Sequence, residues 1–147
     1  MTELRELYQE VIIDHGRRPR NFGHLAEANR SAEGFNPLCG DRLTLYLRIE
    51  DGVIRVARFE GAGCAISTAS ASLMTEALRG KTEAEARALM DGFHALVTGG
   101  EAATADLGKL AVLGGVREFP TRIKCATLAW HTLRAALAGG DRPATTE

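Results

Sequence analysis

Apolar residues recur every three or four positions in several parts of the chain, and this period predicts helices. The first such stretch runs from Glu3 to Asp14 and is followed by glycine and proline, which are typical of a helix end. Another begins with Thr82 and Glu85 at the spacing of a capping box. Beyond the first helix, the pattern predicts helical segments at 64–80, 81–100 and 121–137, with a short apolar piece at 107–113.

A different period marks the region between the first helix and residue 60. Residues 43–50 alternate apolar and polar side chains, as a half-buried strand does. The Asp-Gly pair at 51–52 is a strong hairpin signal, and residues 53–60 continue as a second strand. The alternation slips near Ala57, which indicates a β-bulge. Residues 28–36 are compatible with a short edge strand.

This order of elements, a helix followed by strands and then helices, predicts an α+β fold. We expect a small antiparallel sheet of about three strands with helices packed on one face. The 147 residues are sufficient for one domain with its own core. We therefore expect a single domain over residues 1–140, followed by a disordered tail over 141–147.

Composition narrows the classes of function. Apolar content of 45% and charged content of 25% are those of an ordinary globular protein. The net charge of −1 gives no reason to expect a nucleic-acid or membrane-surface binder. Neither a membrane-spanning run nor a secretory signal is recognisable, so we expect a cytoplasmic protein. Three cysteines cannot complete a disulfide framework, and in that compartment they favour metal or nucleophile chemistry.

The three cysteines are all predicted at the ends of elements, where their side chains could converge. Cys39 precedes the first clear strand, Cys64 stands at a strand-to-helix junction, and Cys125 opens the last helix. Each alone is more simply a small core residue. With Asp41, however, they make four ligands, which suits tetrahedral Zn²⁺. A histidine is the alternative fourth ligand, although none of the four histidines neighbours a cysteine.

Four motifs in this order resemble one known family. The segments "NPLCGD", "GAGCAIS" and "RIKCATLAW" are similar to the three cysteine motifs of the SufU proteins, which are zinc-binding relatives of the IscU iron–sulfur scaffold family. The N-terminal "VIIDHGRRPRNFG" is similar to their D-H…P-R-N segment. Together the matches run from about residue 11 to residue 130. The resemblance implies an IscU/SufU-like fold.

Differences within that family favour the SufU branch. IscU-like scaffolds carry a histidine directly before the last cysteine and a Pro-rich segment that a chaperone recognises. Here Lys124 precedes Cys125, and "FPTRIK" has no Pro-Pro pair. The stretch between Cys64 and Cys125 is also longer, as in SufU. These differences leave Asp41 as the natural fourth ligand.

The resemblance implies sulfur handling in iron–sulfur cluster assembly. A pyridoxal-phosphate cysteine desulfurase of the SufS type would pass persulfide sulfur to Cys39, which matches the family's acceptor. Cys39, Asp41, Cys64 and Cys125 match the zinc ligands, and Arg122 and Lys124 are candidates for contacting the persulfide or the partner. Downstream iron–sulfur scaffold proteins are possible further partners. Such a protein is a sulfurtransferase-like acceptor and carrier rather than an independent turnover enzyme.

Two other interpretations remain open. The same four residues could hold iron as a nascent [2Fe–2S] cluster, although a carboxylate is an unusual cluster ligand. Alternatively, the site could be a structural zinc module that binds partners without sulfur chemistry, since four-ligand zinc sites are typical of structural roles.

Overall fold

A computed structural model describes residues 2–37, 40–98, 107–139 and 144–145. The chain begins with helix α1 and continues with three strands and then the remaining helices, in the order expected from the sequence. The elements are α1 (Thr2–Arg17), β1 (Arg30–Asn36), β2 (Asp41–Glu50), β3 (Val53–Ala62), α2 (Ala65–Leu78), α3 (Glu83–Thr98), a 3-10 helix (Gly108–Glu118), α4 (Pro120–Leu137) and β4 (Ala144–Thr145).

The sheet has the strand order β3-β2-β1-β4. Strands β1, β2 and β3 are antiparallel neighbours, which confirms the predicted three-stranded core of the sheet. Asp51 and Gly52 both have positive φ, as the predicted two-residue hairpin requires. The bulge was expected near Ala57 but falls earlier on β3, because Arg48 pairs with Val56 while the next residue of β2 pairs with Ile54.

One face of the sheet is covered by α2 and α4, and the opposite face is open to solvent. The alternation predicted for β2 is observed, since Leu43, Leu45 and Leu47 are buried. Against them pack large side chains of α2 and α4, including Leu73 and Leu128. The hydrophobic core therefore lies between the sheet and these two helices.

Helix α4 runs antiparallel to β1, and this direction determines where its first residues lie. The Arg30 guanidinium donates a hydrogen bond of 3.1 Å to the Leu137 carbonyl near the end of α4. Four residues further along β1, a Cβ added to Gly34 would meet Thr132 Oγ1 at 2.0 Å, so the Thr132 side chain packs directly against the backbone of Gly34. The beginning of α4 therefore lies beside the last residue of β1, at the loop that leads into β2.

The end of the chain adds a short parallel strand to β1. Ala144 and Thr145 pair with Gly34 and Phe35. The remainder of segment 141–147 lies outside the described residues, so the expectation of a disordered tail stays a prediction there. Within the part of the chain that the structure describes, no helix combines the length and apolar character needed to cross a membrane.

Candidate metal centre

Asp41, Cys64 and Cys125 come together at one end of the sheet. Asp41 is the first residue of β2, Cys64 directly precedes α2, and Cys125 lies near the beginning of α4. One carboxylate oxygen and the two Sγ atoms all lie within 4.8 Å of one another. Three residues far apart in the sequence therefore form one cluster of potential ligands. Cys125 occupies the second turn of α4 rather than the first, because the helix begins at Pro120.

The carboxylate of Asp41 is buried and held by a backbone amide. The side chain is 2% exposed. The Cys64 amide donates a hydrogen bond of 3.0 Å to Oδ1 of Asp41, while Oδ2 lies 3.9 Å from the Cys64 Sγ. One oxygen is thus engaged by the backbone, and the other faces the Cys64 sulfur. This arrangement suits a carboxylate that binds a cation through a single oxygen.

Cys64 is the N-cap residue of α2. Its backbone is extended, with φ −71° and ψ 168°, and its Sγ accepts a hydrogen bond of 3.4 Å from the Ser67 amide. N-cap side chains satisfy helix amides that would otherwise lack a partner, and a helix N-terminus favours negative charge. The thiol is only partly buried, so the cluster is reached from solvent on this side.

Cys125 forms the buried wall of the cluster. Its side chain is 1% exposed, and Nδ2 of the fully buried Asn36 lies 3.9 Å from its Sγ. Asn36 is the last residue of β1 and pairs with Asp41 across the strands. The sequence analysis did not identify Asn36 as a site residue, because an asparagine before a proline is an ordinary turn signal.

Cys39 lies outside the described residues, so its predicted roles as acceptor and ligand remain predictions. The residues on either side of that gap are described. Gly40 has φ +72°, and its amide donates a hydrogen bond of 2.8 Å to the Asn36 carbonyl. A backbone hydrogen bond therefore joins the described residues on the two sides of positions 38 and 39, directly beside Asp41.

The three described ligand residues fit a zinc ion. Thiolate and carboxylate are both normal zinc ligands, and tetrahedral bonds of about 2.0–2.3 Å put neighbouring ligand atoms about 3.5–3.8 Å apart. The separation of 3.9 Å between Oδ2 of Asp41 and the Cys64 Sγ is close to that value. The largest separation in the cluster, below 4.8 Å, would need a contraction of about 1 Å. Small rotamer adjustments are sufficient for such a change.

No histidine joins this cluster among the residues that the structure describes. His15 is buried, and its Nδ1 lies 2.7 Å from Ser72 Oγ. The same hydroxyl accepts a hydrogen bond of 2.8 Å from the Arg20 amide, and the Arg20 guanidinium pairs with Asp14. The D-H…P-R-N segment thus attaches α1 to α2, which is a structural role.

The candidate partner contacts lie at the beginning of α4. Arg122 is exposed and Lys124 is partly buried. Phe119, which directly precedes the helix, exposes 58% of its surface. Since Cys125 lies near the same end of α4, these side chains lie at the same end of the molecule as the cluster of potential ligands. A role for Arg122 or Lys124 in holding a persulfide stays a prediction.

Comparison with known proteins identifies the family of this chain. Residues 7–139 match the family described as the NifU-like N terminal domain. The chain is 43% identical over 138 residues to the zinc-dependent sulfurtransferase SufU of Bacillus subtilis, with 93% of each chain covered. It is equally similar, at 43% over 138 residues, to the iron–sulfur cluster assembly scaffold protein IscU of Streptococcus pyogenes, with 93% of this chain and 86% of the relative covered.

A solved structure shows the same architecture. The crystal structure from Fervidobacterium islandicum AW-1, described as an iron–sulfur cluster assembly scaffold protein for the SUF system, superimposes with a TM-score of 0.84. Its sequence identity is 37%, and the match covers 90% of this chain and 98% of that one. The resemblance inferred from the four motifs is therefore confirmed, together with the α+β fold that it implied. The chain belongs to the NifU-like N-terminal domain family, whose members include the iron–sulfur cluster assembly proteins SufU and IscU.

Proposed function

We propose that this protein is a zinc-dependent sulfur acceptor that takes persulfide sulfur from a cysteine desulfurase onto Cys39. The observation that carries the proposal is the convergence of the potential ligand atoms of Asp41, Cys64 and Cys125 within 4.8 Å of one another. The similarity to a relative named as a zinc-dependent sulfurtransferase supports it. The proposal keeps the cytoplasmic location predicted from the sequence, where thiols stay reduced.

In this proposal, Asp41, Cys64 and Cys125 hold the ion together with Cys39. When bound, Zn²⁺ would stabilise the thiolate form of its cysteine ligands and so restrict their oxidation. The protein contributes the arrangement of the ligands. The Cys64 amide fixes the carboxylate of Asp41, and burial of Cys125 keeps its thiol away from solvent. Among the four candidate ligands, Cys39 is the one that matches the family's sulfur acceptor, so the proposal assigns the meeting with the partner protein to it.

The proposed transfer is a thiol–persulfide exchange. The Cys39 thiolate attacks the outer sulfur of the desulfurase persulfide, a new sulfur–sulfur bond forms on Cys39, and the bond within the donor persulfide breaks. The desulfurase cysteine leaves as a thiolate, and Cys39 becomes a persulfide. One sulfur atom changes carrier, and neither an external oxidant nor a reductant is consumed. Arg122 and Lys124 provide positive charge near the site for the anionic persulfide or for an acidic group of the partner.

The second candidate function is that of a scaffold on which a [2Fe–2S] cluster is assembled. The observation that favours it is the equal identity, 43%, to a relative named as an IscU scaffold. Thiolates are the usual ligands of such clusters. The carboxylate of Asp41 favours zinc, because oxygen ligands are common at zinc sites and rare at iron–sulfur clusters.

The test of the proposal combines metal analysis with mapping of persulfides. The purified protein is assayed for zinc and iron, then incubated with a pyridoxal-phosphate cysteine desulfurase and cysteine, alkylated and analysed by mass spectrometry. We expect about one zinc per chain and a cysteine-dependent mass increase of one sulfur on Cys39. The variant Cys39→Ser should abolish this modification, and a reaction without cysteine should show none.

Other outcomes would contradict the proposal. A persulfide found on Cys64 or Cys125 but never on Cys39 would overturn the acceptor assignment. Tightly bound iron in place of zinc would favour the scaffold function. Bound zinc without any persulfide, in a reaction where the desulfurase is active, would indicate a purely structural zinc module.

A further inference from the structure

The residue directly before Cys64 is a glycine that lies against the carboxylate of Asp41. A Cβ added to Gly63 would lie 2.9 Å from Asp41 Oδ1, 3.2 Å from its Cγ and 3.3 Å from its Cβ. All three nearest atoms belong to one side chain. Separations below 3.0 Å are essentially never adopted by real Cβ atoms, so something must shift if this position gains a side chain.

The backbone of Gly63 does not itself require glycine. Its φ lies outside the left-handed region, unlike that of Gly40. The residue is exposed, so the core does not require a small residue there either. The reason for glycine is that the Asp41 side chain leaves no space for a Cβ at this position.

We propose that Gly63 is a positioning residue for the metal centre, whose missing side chain leaves the space in which the Asp41 carboxylate is held as a single-oxygen ligand. With Gly63, the Cys64 amide can approach Oδ1 to 3.0 Å while Oδ2 faces the Cys64 thiol. This inference rests on the proposed function, since it takes Asp41 to be a metal ligand.

The atoms that surround a glycine determine which part of the structure must move when the glycine is replaced by alanine. At Gly61 the obstacle is backbone, since a Cβ there would meet the Arg42 carbonyl oxygen at 2.2 Å. At Gly63 it is the short side chain of Asp41, which can be displaced more easily than a strand. The new methyl group would therefore displace the ligand and leave the fold largely unchanged. Since the contact includes Cγ and Cβ, rotation of the carboxylate alone cannot relieve it.

The test is the zinc affinity of Gly63→Ala, measured by competition with a chromophoric chelator. We expect a loss of about 10–100-fold, the range found when groups that orient metal ligands are removed. The absorption spectrum of the Co²⁺-substituted protein should also change, because it reports ligand geometry directly. The matched control is Gly115→Ala, since a Cβ at Gly115 would meet no described heavy atom within 4 Å and the backbone accepts it. This control should retain the parental affinity.

A second pair of variants tests whether Gly63 acts through Asp41. In the Asp41→Ala background, adding Gly63→Ala should cause no further loss of zinc affinity, because the displaced ligand is already absent. Thermal unfolding of the metal-free proteins provides the check on folding. The unfolding midpoint of Gly63→Ala should be close to that of the parent protein.

The outcomes distinguish this inference from the proposed function. If the parent protein binds no zinc, the proposed function fails. If the parent binds zinc and Gly63→Ala binds it equally well with the same Co²⁺ spectrum, the positioning role of Gly63 is refuted. An equal loss from Gly63→Ala with and without Asp41 would likewise refute it, since the effect would then not pass through the carboxylate.

Discussion

The Cys64 amide and the Asp41 carboxylate, 23 residues apart in the chain, are joined by a hydrogen bond of 3.0 Å. The bond connects the first residue of β2 to the residue that precedes α2. It also orients the carboxylate, since Oδ1 accepts from the amide while Oδ2 lies 3.9 Å from the Cys64 Sγ. One backbone donor thus links the sheet, a helix start and the candidate metal centre.

The two contributions of Asp41 can be separated by substitution. Asp41→Asn keeps an oxygen that accepts from the Cys64 amide but loses the charge, whereas Asp41→Ala loses both. We expect lower zinc affinity in both variants. Only the alanine variant should be destabilised without metal, by about 1–3 kcal/mol, because it leaves a donor without a partner. Chelator competition and urea unfolding of the metal-free proteins measure these effects. Unchanged zinc affinity in both variants would remove Asp41 from the ligand set.

The contact between β1 and α4 predicts a destabilising substitution. A Cβ at Gly34 would lie 2.0 Å from Thr132 Oγ1 and 3.2 Å from a Leu128 methyl carbon. We expect Gly34→Ala to lower the free energy of unfolding by about 1–3 kcal/mol through overpacking. Thr132→Ala should partly rescue it, since the nearest obstacle is removed. A double-mutant cycle measured in urea provides the check, and purely additive effects would contradict the contact.

The buried His15 predicts a dependence of stability on pH. Burial, and then the positive charge of Arg20, lowers the pKa of His15 below its ordinary value of 6.5. Lys109 lowers that pKa further, while the negative charges of Glu76 and Asp14 partly oppose the shift. Below about pH 6.5 the unfolded chain therefore binds a proton that the folded protein does not, and the free energy of unfolding falls as the pH falls.

Substitution of His15 tests this assignment. The variant His15→Gln should lose part of the difference in unfolding free energy between neutral and mildly acidic pH. The pKa of His131 is also lowered by burial, and then by the charges of Arg134 and His94, so the double variant with His131→Gln should lose more. Urea unfolding at several pH values measures both. If the free energy of unfolding of His15→Gln depended on pH as strongly as that of the parent protein, His15 would not be the cause of the dependence.

Tyr46 on the open face of the sheet should ionise only at very alkaline pH. Its hydroxyl donates a hydrogen bond to the Glu60 carboxylate, which raises the pKa of Tyr46 to about 12. We expect Glu60→Gln to shift the titration back toward the ordinary value of 10.0. Tyrosinate absorbance measures the ionisation, and Tyr46→Phe identifies the signal against the other tyrosine. Equal titration of the parent and Glu60→Gln would contradict the hydrogen bond.

The regular strands, and the two described cysteines as candidate ligands, could be predicted from local sequence, because each is encoded by neighbouring residues. The alternation at 43–50 requires only that one face be buried, and Cys64 and Cys125 stand in recognisable motifs. Asn36 and Gly63 could not be identified in this way. Their roles depend on what the fold brings beside them, namely the Cys125 sulfur and the Asp41 carboxylate.

The 3-10 helix at Gly108–Glu118 was recognised only as a short apolar piece at 107–113. Two adjacent glycines disfavour a long α-helix there, and the segment is ordered by packing rather than by propensity. Leu110 and Leu113 are buried in the core. A search for the α-helical period of 3.6 residues therefore could not identify where this 3-10 helix begins and ends.

Because Cys64 caps α2 through the Ser67 amide, the thiol contributes to both a helix terminus and the ligand cluster. A sulfur atom that shares its electrons with a cation is a poorer hydrogen-bond acceptor. Loading and unloading of the centre should therefore change how readily the Ser67 amide exchanges its hydrogen with solvent. The helix terminus would thus act as an internal reporter of occupancy, readable by hydrogen–deuterium exchange without altering a single residue.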